Sequence, residues 1–158
     1  MTWVLDASVV VKALAGEEGA REAMALMREP IVAPDLLIAE CLNALRKKVL
    51  RGELSKADAL LAAGLLQASG IVLEPTQPLA RRALELSLRL SHPSYDCIYV
   101  ALAEKLDAVL VTADRKLVAR CQQVDARDLS HRIRWLYDPA PPQVQERTFR
   151  PYMVRRAA

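Results

Sequence analysis

Short apolar runs alternate with longer amphipathic stretches along most of this chain, and that alternation predicts strands threaded between helices. Trp3, Val4 and Leu5 form the first run, with Asp6 at its carboxyl end. Ser8 stands at a helix N-cap position, so Ser8–Ala15 reads as a helix stopped by Gly16, and Glu17–Arg28 as a second helix with acids in its first turn. After Pro30, Ile31–Ala33 is a second short strand, and Pro34 opens a long helix, Pro34–Arg51. Ser55 caps a further helix to about Ser69, Ile71–Leu73 is a third strand, and Thr76 with Pro78 starts a helix to Leu90. His92, Pro93 and Ser94 break the pattern, with Ser94 as the cap of Tyr95–Leu106. Val109–Val111 is a fourth, wholly apolar strand ending at Thr112, Asp114 opens a helix through Arg120, and a fifth strand is expected near Val124.

Strands this short and apolar on successive residues are buried on both faces, as in a parallel sheet covered by helices. The expected fold class is therefore α/β, a three-layer α/β/α sandwich with a short, mainly parallel central sheet. A chain of 158 residues supports one core, and 53% hydrophobic residues with only 4% aromatics favour packed helices around a small sheet over an all-β fold. Residues 1–136 carry the pattern and make one unit. Residues 137–158 form a Pro/Arg-rich extension, with Pro139, Pro141, Pro142 and Pro151 interrupting regular structure and Arg147, Arg150, Arg155 and Arg156 making it basic.

Composition narrows the setting. No apolar run reaches the roughly 18 residues of a membrane span, and the first residues lack a secretory pattern, so a cytoplasmic protein without membrane association is expected. Cys41, Cys97 and Cys121 are odd in number and far apart, which predicts reduced, buried thiols in place of a disulfide framework or zinc site. The net charge is only +3, but setting four clustered carboxylates aside leaves the rest with a surplus of about seven positive charges, a field that attracts a polyanion.

Four acids share one topological position. Asp6 ends a strand, Asp114 follows a strand end, Asp96 lies in the first turn of a helix, and Glu40 is two turns into the long helix, beside Leu36, Leu37 and Cys41. Strand carboxyl ends and helix N-termini meet at one rim of a parallel sheet, where open α/β folds bind ligands. Carboxylates gathered there raise one another's pKa unless a cation joins them, and hard oxygen donors suit Mg²⁺ or Mn²⁺. Such a centre activates water against a phosphodiester and neutralises the charged transition state. Ser8, Asn43 and Thr112 lie near these acids in sequence and suit orienting them, although Ser8 and Thr112 also read as simple helix caps and Asn43 as an exposed polar residue. Lys12 reads as a phosphate contact or a solvated side chain, and Arg46 and Lys47 as an RNA track or a complement to the helix dipole.

The motifs VLDASVVVKAL around Asp6, APDLLIAECLNAL around Glu40 and Asn43, YDCIYVALA around Asp96 and VLVTADRKL around Asp114 occur in an order and spacing that resembles PIN-domain proteins, more closely the VapC-like ribonuclease toxins of prokaryotic toxin–antitoxin pairs. The resemblance spans roughly Met1 to Val124. It implies that Asp6, Glu40, Asp96 and Asp114 form the acidic metal site with Ser8, Asn43 and Thr112 as polar companions. It further implies an endoribonuclease dependent on Mg²⁺ or Mn²⁺, a homodimer, and neutralisation by a small VapB-like antitoxin whose C-terminal segment enters the active-site groove. Three other readings compete: a housekeeping PIN nuclease without an antitoxin, a PIN-like scaffold that binds RNA or a partner without cutting, and a metal-free ribonuclease using His92 and His131 as acid and base, with no matched motif around either histidine.

Overall fold

The computed structural model describes residues 2–139. Its strands are β1 (Trp3–Leu5), β2 (Ile31–Pro34), β3 (Val72–Glu74), β4 (Val109–Thr112) and β5 (Ile133–Trp135). They form one sheet in the order β3-β2-β1-β4-β5, with every neighbouring pair parallel. The helices are α1 (Ala7–Ala15), α2 (Ala20–Leu26), α3 (Leu36–Leu50), α4 (Lys56–Gln67), α5 (Ala80–Leu90), α6 (Ser94–Leu106) and α7 (Arg115–Cys121). None of them is long and apolar enough to cross a membrane.

Connections between parallel strands are right-handed, which sets the layers. The chain steps from β1 through β2 to β3 in one direction and then from β4 to β5 in the other, so α1–α4 cover one face and α5–α7 the opposite one. Packing agrees: α1 lies against α2, α3 and α4, α5 lies against α6, and α7 lies against β5. The α/β/α sandwich expected from the hydrophobic pattern is the observed fold. Val4, Leu5, Leu110 and Val111 at the sheet centre are inaccessible to solvent or nearly so, and such burial stabilises by about 1.5–3 kcal/mol per side chain.

The strand order also creates a crevice. β1 and β4 are neighbours, yet the chain leaves β1 toward β2 and leaves β4 toward β5, so their connections diverge at the carboxyl edge. With Leu5 opposite Val111, the register brings Asp6 level with Thr112 at that opening.

Local boundaries differ from expectation at several places, and Pro34, expected to open the long helix, is instead the last residue of β2, with α3 starting at Leu36. The N-cap of α1 is Asp6, whose carboxylate accepts from the Val9 N–H, and Ser8 lies inside the first turn. An acceptor is needed two to four residues before the orphan amides, and Asp6 supplies it first. The second helix begins only at Ala20, because Gly19 takes φ +86° in close contact with Tyr137. Pro93, not Ser94, precedes the first turn of α6, which closes by the Cys97 N–H on the Pro93 carbonyl. The fifth strand is Ile133–Trp135, while Val124–Arg132 is a 3-10 segment. Val124 is a lone apolar residue among polar neighbours, whereas Ile133 and its successors pair with β4 along its length. Of the expected extension over 137–158, residues 140–158 lie outside the described residues.

Candidate active site

Asp6 and Thr112 are the polar residues buried in the core among the described residues, and they sit side by side at the crevice. Asp6 Oδ1 accepts from Ser8 Oγ at 2.5 Å and from the Val9 N–H at 3.2 Å. Ser8 Oγ in turn accepts from the Ala113 N–H at 3.0 Å, and Thr112 Oγ1 accepts from the Asp114 N–H at 2.9 Å. Two small hydroxyls thus lace the turn after β1 to the turn after β4. Asp114 caps α7, its Oδ1 accepting from the Lys116 and Leu117 N–H groups at 2.7 and 3.3 Å. Those bonds hold one oxygen of Asp114 and leave Oδ2 for other partners.

Asp96 and Glu40 enter from opposite faces of the sheet. Asp96 is in the first turn of α6, and Glu40 projects from α3, where its Oε2 accepts from Tyr99 Oη at 2.5 Å. Burial raises the pKa of Asp6 to about 6 against the opposing pull of Ser8, Thr112 and Val9, and the negative charge of Asp96 adds to the rise. Glu40 is also raised, first by burial, with Tyr99 opposing and Asp96 adding. Asp96 itself is raised by burial, with His92 opposing and Asp114 adding. Asp96 thus interacts electrostatically with each of the other three acids.

His92, which the sequence reading left out of the four-acid set, lies against two of those acids. Its side chain is 8% exposed, with Nε2 2.8 Å from Asp96 Oδ2 and 3.4 Å from Asp114 Oδ2. One donor atom from each of His92, Asp96 and Asp114 falls within 4.8 Å of the others. Asp6 and Glu40 are outside that trio, Asp6 bonded to Ser8 and Glu40 to Tyr99. Tyr99 was likewise missed. Helical spacing was a signal for Tyr99, three residues after Asp96 in α6, but not for His92, which precedes the helix.

The other expected residues divide. Ser8 and Thr112 contact the acids as described, whereas Asn43 is exposed on α3. Lys12 Nζ donates to the Glu18 carbonyl at 3.2 Å, at the far end of α1. Arg46 and Lys47 are exposed along α3, while the neighbouring Lys48 pairs with Glu17 at 2.9 Å and Glu53 at 3.4 Å. Arg82, Arg89 and Arg132 pair with Glu104, Asp128 and Asp107, away from the crevice. His131 is exposed on the 3-10 segment and does not join His92. All three cysteines are buried and unpaired.

The donor set fits a divalent cation. Several carboxylates share a partly buried crevice, each disfavouring the charge of its neighbours, and His92 is the basic side chain that bridges two of them. A hard cation is the species that relieves such repulsion at neutral pH.

Comparison with known proteins shows the family. The family model for the PIN domain matches residues 3–122. Ribonuclease VapC1 of Mycobacterium tuberculosis is 40% identical over 120 residues, covering 73% of this chain and 88% of that protein. Ribonuclease VapC9 of the same organism is 36% identical over 114 residues, covering 72% and 87%. The crystal structure of PAE2754 from Pyrobaculum aerophilum superposes with a TM-score of 0.60 at 26% identity, covering 84% of this chain and 88% of that one. With its order of acids, its strand topology and these relatives in agreement, the chain belongs to the PIN domain family, among the VapC-like members.

Proposed function

We propose that this chain is a metal-dependent endoribonuclease that hydrolyses RNA phosphodiester bonds as the toxin of a toxin–antitoxin pair. The observation that carries the reading is the convergence of Asp6, Asp96 and Asp114 at the β1/β4 crevice, where Ser8 bonds both Asp6 and the Ala113 N–H and His92 Nε2 lies 2.8 Å from Asp96 and 3.4 Å from Asp114. The relatives named as ribonucleases support RNA as the substrate class. Asp6, Glu40, Asp96 and Asp114 are the proposed ligands and catalytic acids, and Mg²⁺ or Mn²⁺ the proposed ion. When bound, the cation supplies activation of water and neutralisation of phosphate charge.

The chain's own residues supply the rest. Ser8 and Thr112 fix Asp6 and the Asp114 turn, so the two carboxylates face the crevice without reorganising when charge develops. Tyr99 holds Glu40 in one rotamer across the sheet edge. Lys12, Arg46 and Lys47 remain proposed RNA contacts; the exposed basic end of α3 suits a phosphate track. The proposed partners are a small VapB-like antitoxin, which would cover the crevice, and a second copy of the chain. The proposed nuclease unit is residues 1–136, with 137–158 an appended segment, and the proposed compartment is the cytoplasm.

The test is cleavage of total cellular RNA by the purified protein with Mg²⁺ or Mn²⁺, with and without chelator, alongside Asp96→Asn. Discrete fragments are expected that vanish in both controls, with Asp96→Asn at least about 100-fold slower, since losing a ligand removes several kcal/mol of transition-state stabilisation. Cleavage that survives chelator overturns the metal mechanism. RNA binding without cleavage makes the chain a scaffold.

A further inference from the structure

We propose that His92 contributes a nitrogen to the cation site, making it a mixed nitrogen–oxygen centre that prefers Mn²⁺ to Mg²⁺. The inference rests on the metal-dependent reading above and extends it to a residue outside the four acids.

The placement of His92 is built. It lies in the link between α5 and α6, where Ser91 adopts φ +48°, a left-handed conformation that costs a non-glycine residue about 1 kcal/mol. Its N–H donates to the Ser87 carbonyl at 3.2 Å, and its carbonyl accepts from Ser87 Oγ at 2.6 Å and from Cys97 Sγ at 3.9 Å. Backbone on both sides is thereby tied down, and the imidazole is turned inward with its side chain 8% exposed.

The contacts of Nε2 are the second observation. A ring nitrogen carries at most one proton, which serves one acceptor well. Here two carboxylates approach the same nitrogen, Asp96 at 2.8 Å and Asp114 at 3.4 Å, and one of them is beyond a good hydrogen bond. Adjacent donors around a Mg²⁺- or Mn²⁺-sized ion, with bonds of about 2.1 Å at right angles, stand about 3 Å apart. His92 Nε2 therefore stands from each carboxylate at about the spacing of shell neighbours, and all three donors lie within 4.8 Å of one another.

A nitrogen donor changes selectivity. Mg²⁺ favours oxygen alone and gives up water reluctantly, whereas imidazole suits transition ions. A site with only the four carboxylates has no such bias from its donors.

The decisive measurement is pulsed EPR of the full-length, tag-free protein loaded with Mn²⁺, comparing the unsubstituted chain, its histidine-specific ¹⁵N-labelled form, His92→Gln and His131→Gln. His92 and His131 are the two histidines of the chain, so one control assigns the signal. Nitrogen modulation is expected in the unsubstituted protein and in His131→Gln, altered by ¹⁵N labelling and absent from His92→Gln. The ratio of Mg²⁺ to Mn²⁺ dissociation constants, read by competition, is expected to fall about tenfold in His92→Gln. The labelled, unsubstituted protein makes the test independent of whether His92→Gln folds. Bound Mn²⁺ without nitrogen modulation overturns the role of His92 and leaves the four-acid reading standing. Failure of Mn²⁺ to bind at all overturns both.

Discussion

Tyr99 Oη donates to Glu40 Oε2 at 2.5 Å, joining helices on opposite faces of the sheet through residues 59 apart in sequence. Tyr99 is 1% exposed, so the bond is shielded and its geometry is set by the core. Tyr99→Phe keeps the ring and removes the donor, leaving Glu40 half-buried without its partner. We expect a loss of about 1 kcal/mol in unfolding free energy and a fall of about tenfold in kcat, measured by denaturant titration and RNA cleavage. Unchanged kcat would assign Tyr99 to packing alone.

Asp6 makes the ion-free protein less stable as pH rises. Below about 3.8 both folded and unfolded chains hold the proton; between that value and about 6 the unfolded chain releases it while the fold retains it; above about 6 both are ionised and the full penalty of the buried charge applies. The loss from this group is about 3 kcal/mol across that window, and the rises at Glu40 and Asp96 act in the same direction. Chelated protein is therefore expected to melt higher near pH 4.5 than near pH 7, and added Mn²⁺ to restore the difference at pH 7. Asp6→Asn, which keeps an oxygen for Ser8 and Val9, should flatten the pH dependence while abolishing cleavage.

Thr112 joins the two sides of the crevice, accepting from the Asp114 N–H while buried beside Asp6. Thr112→Val conserves shape and strands that N–H. A cost of about 1–2 kcal/mol is expected, together with weaker Mn²⁺ binding, because Asp114 loses the turn that aims it. Thr112→Ser should recover binding, and an equal defect in both variants would point to lost packing.

The thiols give a check on the core. Burial pushes Cys41 and Cys97 up to about 12 and Cys121 to about 11, so none is a thiolate at neutral pH. Native protein at pH 7.5 is expected to resist iodoacetamide at all three and to react at all three once unfolded, read by intact mass. Rapid native labelling of any of them would contradict the packing described.

Much of this protein was determined by its sequence alone, because the determinants are local. Wholly apolar triplets such as Val109–Val111 read as strands, buried in β4 although the similar Ile71–Leu73 run lies on the exposed edge strand β3. Their alternation with amphipathic helices favours a parallel sandwich. Asp6, Asp96 and Asp114 were legible as site candidates because a strand end and a helix start are local features that share one edge of such a sheet. The N-cap of α1 and the position of β5 were not, since Asp6 and Ser8 both offer a capping oxygen and a three-residue edge strand is chosen by its partner β4, not by its own propensity.

Only the tertiary structure decided how the acids are partnered. The bond from Lys12 to the Glu18 carbonyl and the bond from Tyr99 to Glu40 both depend on elements meeting in the fold. His92 enters the site because a left-handed turn at Ser91 and two bonds to Ser87 swing its ring between Asp96 and Asp114. Periodicity tells which face of an element is buried, but which side chains meet within 3 Å is set by the packing of elements distant in sequence.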